Sequence, residues 1–192
     1  RMPPQLFHLD EEQRWVEANH ESLGSYFSRD QLGRALVTLD ADRDGRVDVA
    51  ITEIYGSLAL LINQSVQAGN SVDFTFTSTR GQRDAVGTKL SCRVGGRDVT
   101  MQLSAGDGYM CSNQRRLHFG VGDVGELEEV VVTWPSGSRE SFGTLPIPFS
   151  YRIVEGSGEA FAYHHQQSSD YSDHGLVPSA GKKNEQVTDA SR

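Results

Sequence analysis

The chain has 192 residues, of which 36% are hydrophobic and 20 are glycine, with a formal net charge of −8 and a pI near 5.2. Such a charge argues against a phosphate-backbone partner, since nucleic-acid affinity comes from clustered Lys and Arg. No stretch approaches the roughly 20 apolar residues that span a bilayer, and the glycine-rich composition points to many turns and at least one solvated segment.

The first residues, Arg1-Met2-Pro3-Pro4-Gln5, hold no apolar signal core, and a strand pattern is soon under way, so the chain reads as a piece of a longer product. From about Leu6 to Ile62 short strands are broken by polar turns. Glu11 to Ser22 fits a helix or, with Trp15-Val16 in polar company, an edge strand. Ala35, Val37 and Leu39 alternate with Leu36 and Thr38, and Val47, Val49 and Ile51 alternate with Asp48, Ala50 and Thr52, which predicts two strands around an acidic loop. Leu58 to Ile62 predicts a short, more continuously buried strand.

A second unit is expected from Gly69-Asn70. There Val72, Phe74 and Phe76 alternate with Asp73, Thr75 and Thr77, giving one buried face. Leu90, Cys92 and Val94, then Gly95-Gly96, then Val99, Met101 and Leu103 predict a hairpin whose turn needs positive φ. Leu117, Phe119 and Val121 predict another strand, and Leu127 to Trp134 the longest, stopped by Pro135-Ser136-Gly137. Phe142, Tyr151 and Ile153 return to close the sheet. The composition then turns polar, and a tail too poor in apolar residues to order itself is expected over 160–192.

Cys92 and Cys111 are too few for a disulfide scaffold and lack zinc-type pairing. They read as two small buried hydrophobes or as one disulfide closing the intervening loop.

Asp40, Asp42, Asp44 and Asp48 stand at positions 1, 3, 5 and 9 of a compact loop, with Gly45 at position 6 and the Arg46 carbonyl at 7. Calcium takes about six to eight oxygens at about 2.3–2.6 Å, and this spacing curls alternate carboxylates around one point. Like charges so crowded repel unless a cation neutralises them. Ile51 at position 12 and the period-two flanks exclude an EF-hand, leaving a calcium hairpin between strands, with a solvated acidic turn as the alternative.

The segment Leu32-Gly33-Arg34-Ala35-Leu36-Val37-Thr38-Leu39-Asp40 through Asp48-Val49-Ala50-Ile51 resembles an FG-GAP (VCBS-type) repeat, the blade of integrin α-chain propellers, in which the acidic hairpin binds calcium. A blade buries its faces against neighbours, so the resemblance implies further blades upstream. Gln82-Arg83-Asp84-Ala85-Val86-Gly87-Thr88-Lys89-Leu90, then Gly106-Asp107-Gly108-Tyr109, then Leu117-His118-Phe119-Gly120-Val121-Gly122, then Val132-Thr133-Trp134-Pro135-Ser136-Gly137 resemble the ASPIC/UnbV family. Gln82, Ser71 and Cys111 depart from its usual residues. Together the two resemble the cartilage acidic protein and UnbV arrangement of bacterial secreted proteins and an animal matrix protein.

The resemblance implies an all-β chain: the C-terminal part of a propeller, with a blade over 1–66, and a small antiparallel β-sandwich or barrel-like ASPIC/UnbV domain over 69–158. It implies an extracellular or periplasmic setting and a binding or adhesion role toward a protein or glycan. Arg83, Asp84 and Tyr109 are candidates for a ligand site or simply for turn architecture.

An enzyme finds little support. No Gly-x-Ser-x-Gly elbow or helical pair of zinc-binding histidines appears. Glu128 and Glu129 are strand neighbours expected on opposite faces, His118 is expected on an outer strand face, and His164, His165 and His174 fall in the polar tail. The alternative is a biosynthetic protein of the enediyne-cluster UnbV type, with a catalytic site outside this chain.

Overall fold

A computed structural model describes residues 2–66, 68–147 and 149–163, and apart from two 3-10 turns its regular elements are β-strands. The chain divides into two units. Among the described residues the first comprises 2–41, 47–64 and 106–114, and the second the remainder.

In the first unit β1 (Phe7–Leu9) and β2 (Trp15–Glu17) form an antiparallel hairpin. Trp15 and Val16 are therefore strand residues, and only a 3-10 turn, His20–Ser22, follows, with the Asn19 side chain accepting from the Glu21 N–H. After the turn Ser25–Ser28 come β3 (Gly33–Leu39), β4 (Asp48–Glu53) and β5 (Ala59–Leu61), an antiparallel sheet in that order. The strands around the acidic loop are as the alternation predicts. The expected buried strand at Leu58 to Ile62 is not: Leu58 is 64% exposed and Leu60 about half exposed, because β5 is a three-residue edge with a neighbour on one side only. On β4 the buried positions are Asp48 and Ala50, not the apolar set Val49 and Ile51.

The second unit contains β6 (Asn70–Thr77), β7 (Lys89–Val94), β8 (Arg97–Gln102), β9 (Arg116–Gly122), β10 (Glu126–Thr133), β11 (Arg139–Pro146), β12 (Ser150–Val154) and β13 (Ala160–Tyr163). They make two four-stranded sheets, β11-β10-β7-β8 and β13-β12-β6-β9, whose inward residues share one core. The result is a sandwich with open edges and no closed barrel. Val72, Phe74 and Phe76 are all buried, Phe74 stacks on Phe76, Phe119 and Tyr151 at 5.4–6.2 Å, and Trp134 meets Phe76 edge-on at 6.0 Å. Burying side chains of this size contributes about 1.5–3 kcal/mol each, so these aromatics anchor the unit. Trp134 is a core residue.

Local chemistry sets the connections. Gly95 and Gly96 join β7 to β8 with φ of 53° and 79°, the positive pair that a two-residue hairpin turn needs. The Trp134-Pro135-Ser136-Gly137 turn closes through the Gly137 N–H to the Trp134 carbonyl at 2.9 Å. One pairing departs from the expected antiparallel pattern: β12 runs parallel to β6, which is possible because the two are not joined directly and strands of both sheets intervene in the chain. Strand β10 carries a bulge, with Glu129 at φ 50°, so Leu127 and Val130 both point into the core. Glu128 and Glu129 are consequently both exposed instead of lying on opposite faces.

Residues 160–163, expected to open the polar tail, form β13 with Ala160 and Ala162 buried; the rest of that expectation, His164, His165 and His174 included, lies outside the described residues. Cys92 and Cys111 are free thiols, so the disulfide alternative does not form, and burial raises the Cys92 pKa. Among the described residues no helix is long and apolar enough to cross a membrane.

Candidate functional site

The acidic hairpin between β3 and β4 is shaped by its own polar groups. Asp48, fully buried, accepts the Ala41 N–H at 2.7 Å on one oxygen and the Asn63 N–H at 2.8 Å on the other. Positive φ at Arg43 (63°) and Gly45 (84°) curls the chain back. Asp40, Asp42 and Asp48 each then bring one carboxylate oxygen within 4.8 Å of the others. Asp44 stands outside this trio: it accepts the Arg46 N–H at 2.8 Å and pairs with the Arg46 guanidinium.

The donor set fits a hard cation. A carboxylate has about four lone-pair sites, so Asp48 retains capacity after its two backbone bonds, and three converging carboxylates are the ligand chemistry of calcium.

Arg83 and Asp84 lie in the second unit, on the exposed turn before β7, where the Arg83 carbonyl accepts the Ser78 N–H at 3.1 Å and the Ala85 N–H donates to the Gln82 carbonyl at 2.9 Å. Among the described residues no ion pair joins Arg83 to Asp84, and both belong to this turn. Tyr109 lies in the first unit, on the 106–114 loop.

That loop is a clasp. Asp107 accepts the Asn113 N–H at 3.1 Å and its amide Nδ2 at 3.0 Å, while Asn113 Oδ1 accepts the Thr38 N–H of edge strand β3 at 2.8 Å. The Cys111 thiol donates to the Leu36 carbonyl at 3.4 Å. Gly108 is needed for close approach, since a Cβ there would sit 2.3 Å from Cys111 Sγ. Gly108→Ala is therefore expected to push the clasp off β3 at a cost of about 1–3 kcal/mol, read as at least tenfold faster amide exchange at Thr38. Adding Cys111→Ala removes the sulfur and should restore protection; no change at Thr38 in the single variant would refute the clasp.

Two buried carboxylates were not legible as special positions. Asp73 on β6 occupies a position that alternation assigns to the solvent side, yet it is 2% exposed. It accepts from His118 Nδ1 at 2.8 Å and from the Arg116 guanidinium at 3.3 Å, both on β9. A carboxylate here only accepts, so His118 carries its proton on Nδ1. His118 does lie on the outer strand face, but as the partner of a buried acid. The signal that could have found it is the pair Arg116 and His118, two apart on one strand face; the register that sets them against Asp73 is decided by folding.

Glu155, after β12, gathers donors from two distant turns. It accepts from the Ser78 hydroxyl (2.6 Å), the Thr79 and Arg80 N–H groups (3.0 and 3.1 Å) and the hydroxyls of Ser136 and Ser138. Burial would raise its pKa, but the hydrogen bonds from Ser136, Ser78, Arg80 and Thr79 together outweigh that and bring it down to about 2. Such a carboxylate is too weak a base to activate Ser136 at neutral pH. It ties the Ser78–Arg80 turn to the turn after Trp134.

Residues 78–160 match the family model described as ASPIC and UnbV. No curated protein matches the chain by sequence.

Proposed function

We propose that this chain is a non-catalytic, calcium-stabilised binding or adhesion module of a secreted protein. In this reading an FG-GAP (VCBS-type) blade, continued by further blades upstream, carries the calcium hairpin, and the ASPIC/UnbV domain follows it. The observation that carries the reading is the convergence of Asp40, Asp42 and Asp48 on one point within 4.8 Å, around a loop whose like charges gain order from a cation. Half-exposed apolar side chains in the first unit, Leu36 and Leu60 among them, support neighbouring blades as partners. An extracellular or periplasmic location suits a modest site, since millimolar calcium saturates what cytosolic calcium would leave empty. The ligand of the intact module is a protein or a glycan.

Calorimetric titration of calcium into the folded chain should give one equivalent, with a rise in melting temperature as the metal binds the native state alone. Asp42→Ala should abolish binding. Asp44→Ala should weaken it less, because that carboxylate is engaged by Arg46. A folded chain that takes up no calcium at millimolar concentration would overturn the proposal and leave the aspartates as a turn.

A further inference from the structure

In the first unit a cavity of about 460 Å³ is walled by the strands and by the clasp loop, and its lining includes Arg34, Thr52, Leu58, Tyr109, Met110 and Cys111. Three features set it apart from a gap in the packing. Its size lies within the range of small-molecule sites, about 300–1,000 Å³. Among the described residues Arg34 is the only charged residue of its lining, and its guanidinium donates to the Gly33 carbonyl and pairs with no acid. The wall is also held in place at a conformational cost: Met110 sits at φ 51°, a region that side chains avoid, at the tip of the Asp107–Asn113 clasp. The clasp keeps Tyr109 and Met110, both largely exposed, at the mouth of the cavity.

We infer that this cavity is a binding site for a small amphipathic carboxylate, whose acid group pairs with Arg34 and whose flat apolar body lies against Tyr109, Met110 and Leu58. A guanidinium favours a carboxylate because its parallel N–H groups match the two oxygens. An aromatic wall favours a planar body, and Arg34, exposed at the apolar cavity's lining, offers an anion a local positive charge. The site needs none of the aspartates of the calcium hairpin, so it stands or falls apart from that reading.

The test is a ¹H–¹⁵N NMR titration of the full chain with 3-phenylpropionate and, separately, with its neutral amide. A ligand this small should bind with a Kd of a few millimolar, shifting the amides of 34–37 and 109–111, and the amide should bind at least fivefold more weakly. Arg34→Gln should bring the acid down to the level of the amide, and Tyr109→Ala should weaken both. Arg97→Gln, an exposed position on β8, should change nothing. The inference is overturned by equal binding of acid and amide, by an Arg34→Gln variant that binds the acid unchanged, or by no shift at about tenfold the expected Kd. It is also overturned if the same amides broaden with protein concentration alone, which would make this face an interface between chains.

Discussion

Asp73→Ala is expected to destabilise the second unit by about 3–5 kcal/mol, the range for breaking a buried ion pair by removing one partner. The acid lies between strands and is satisfied by Arg116 at 3.3 Å and His118 at 2.8 Å, whose side chains are themselves only 14% and 15% exposed. Removing the carboxylate leaves the guanidinium charge and the imidazole N–H in a poorly solvated place beside the β6–β9 ladder. Urea unfolding followed by tryptophan fluorescence should show a lower midpoint at unchanged slope, as befits a loss of native stability. His118→Ala alone should cost less, since Arg116 still compensates the acid. The double variant should cost less than the sum of the singles, because the pair acts as a unit. A loss below about 1 kcal/mol for Asp73→Ala would mean that water reaches the site and that its burial is not energetically significant.

Glu155→Gln is expected to cost about 2–3 kcal/mol near neutral pH, the scale of charge-assisted hydrogen bonds lost from one buried acceptor. Glutamine keeps the shape but not the charge, and its amide nitrogen meets hydroxyl and N–H donors where an acceptor stood. The pH dependence identifies the cause. The folded pKa, about 2, lies below the ordinary 4.5, so the unfolded chain binds the proton first and the ionised group favours the native state. That contribution is complete above about pH 4.5 and is lost as pH falls toward 2. The gap between wild type and Glu155→Gln should therefore be constant from pH 7 to 5 and narrow below 4.5. A gap that does not change with pH would show that shape, not charge, holds the two turns together.

Both sites bear on how the second unit presents its loops. Glu155 ties the turn after Trp134 to the Ser78–Arg80 segment, and the polar motif residues of that region, Ser136 foremost, are explained as hydrogen-bond donors to one buried acid. The first unit shows a similar economy at Asp48, whose two oxygens accept the Ala41 and Asn63 N–H groups and so fix both flanks of the acidic hairpin.

What the sequence by itself determined is what depends on a few neighbouring residues. The period-two runs at 70–77, 89–94 and 116–122 became strands because alternation puts one set of side chains on one face whatever the fold. Gly95-Gly96 became a tight turn and Trp134-Pro135-Ser136-Gly137 a stop for the same local reasons, and the aspartate spacing predicted a hairpin loop that gathers carboxylates. Only the tertiary structure decided which outward position is buried, as Asp73 is; that depends on β9 lying beside β6 in one particular register. It decided the parallel pairing of β12 with β6, the bulge that turns Leu127 and Val130 inward together, and the placing of the 106–114 clasp against β3. The strand pairings and the clasp join segments far apart in the chain. Their energies come from desolvation and hydrogen bonding between groups whose meeting no local pattern encodes, which is why the hairpin could be read from the sequence while the buried acids and the Arg34 cavity could not.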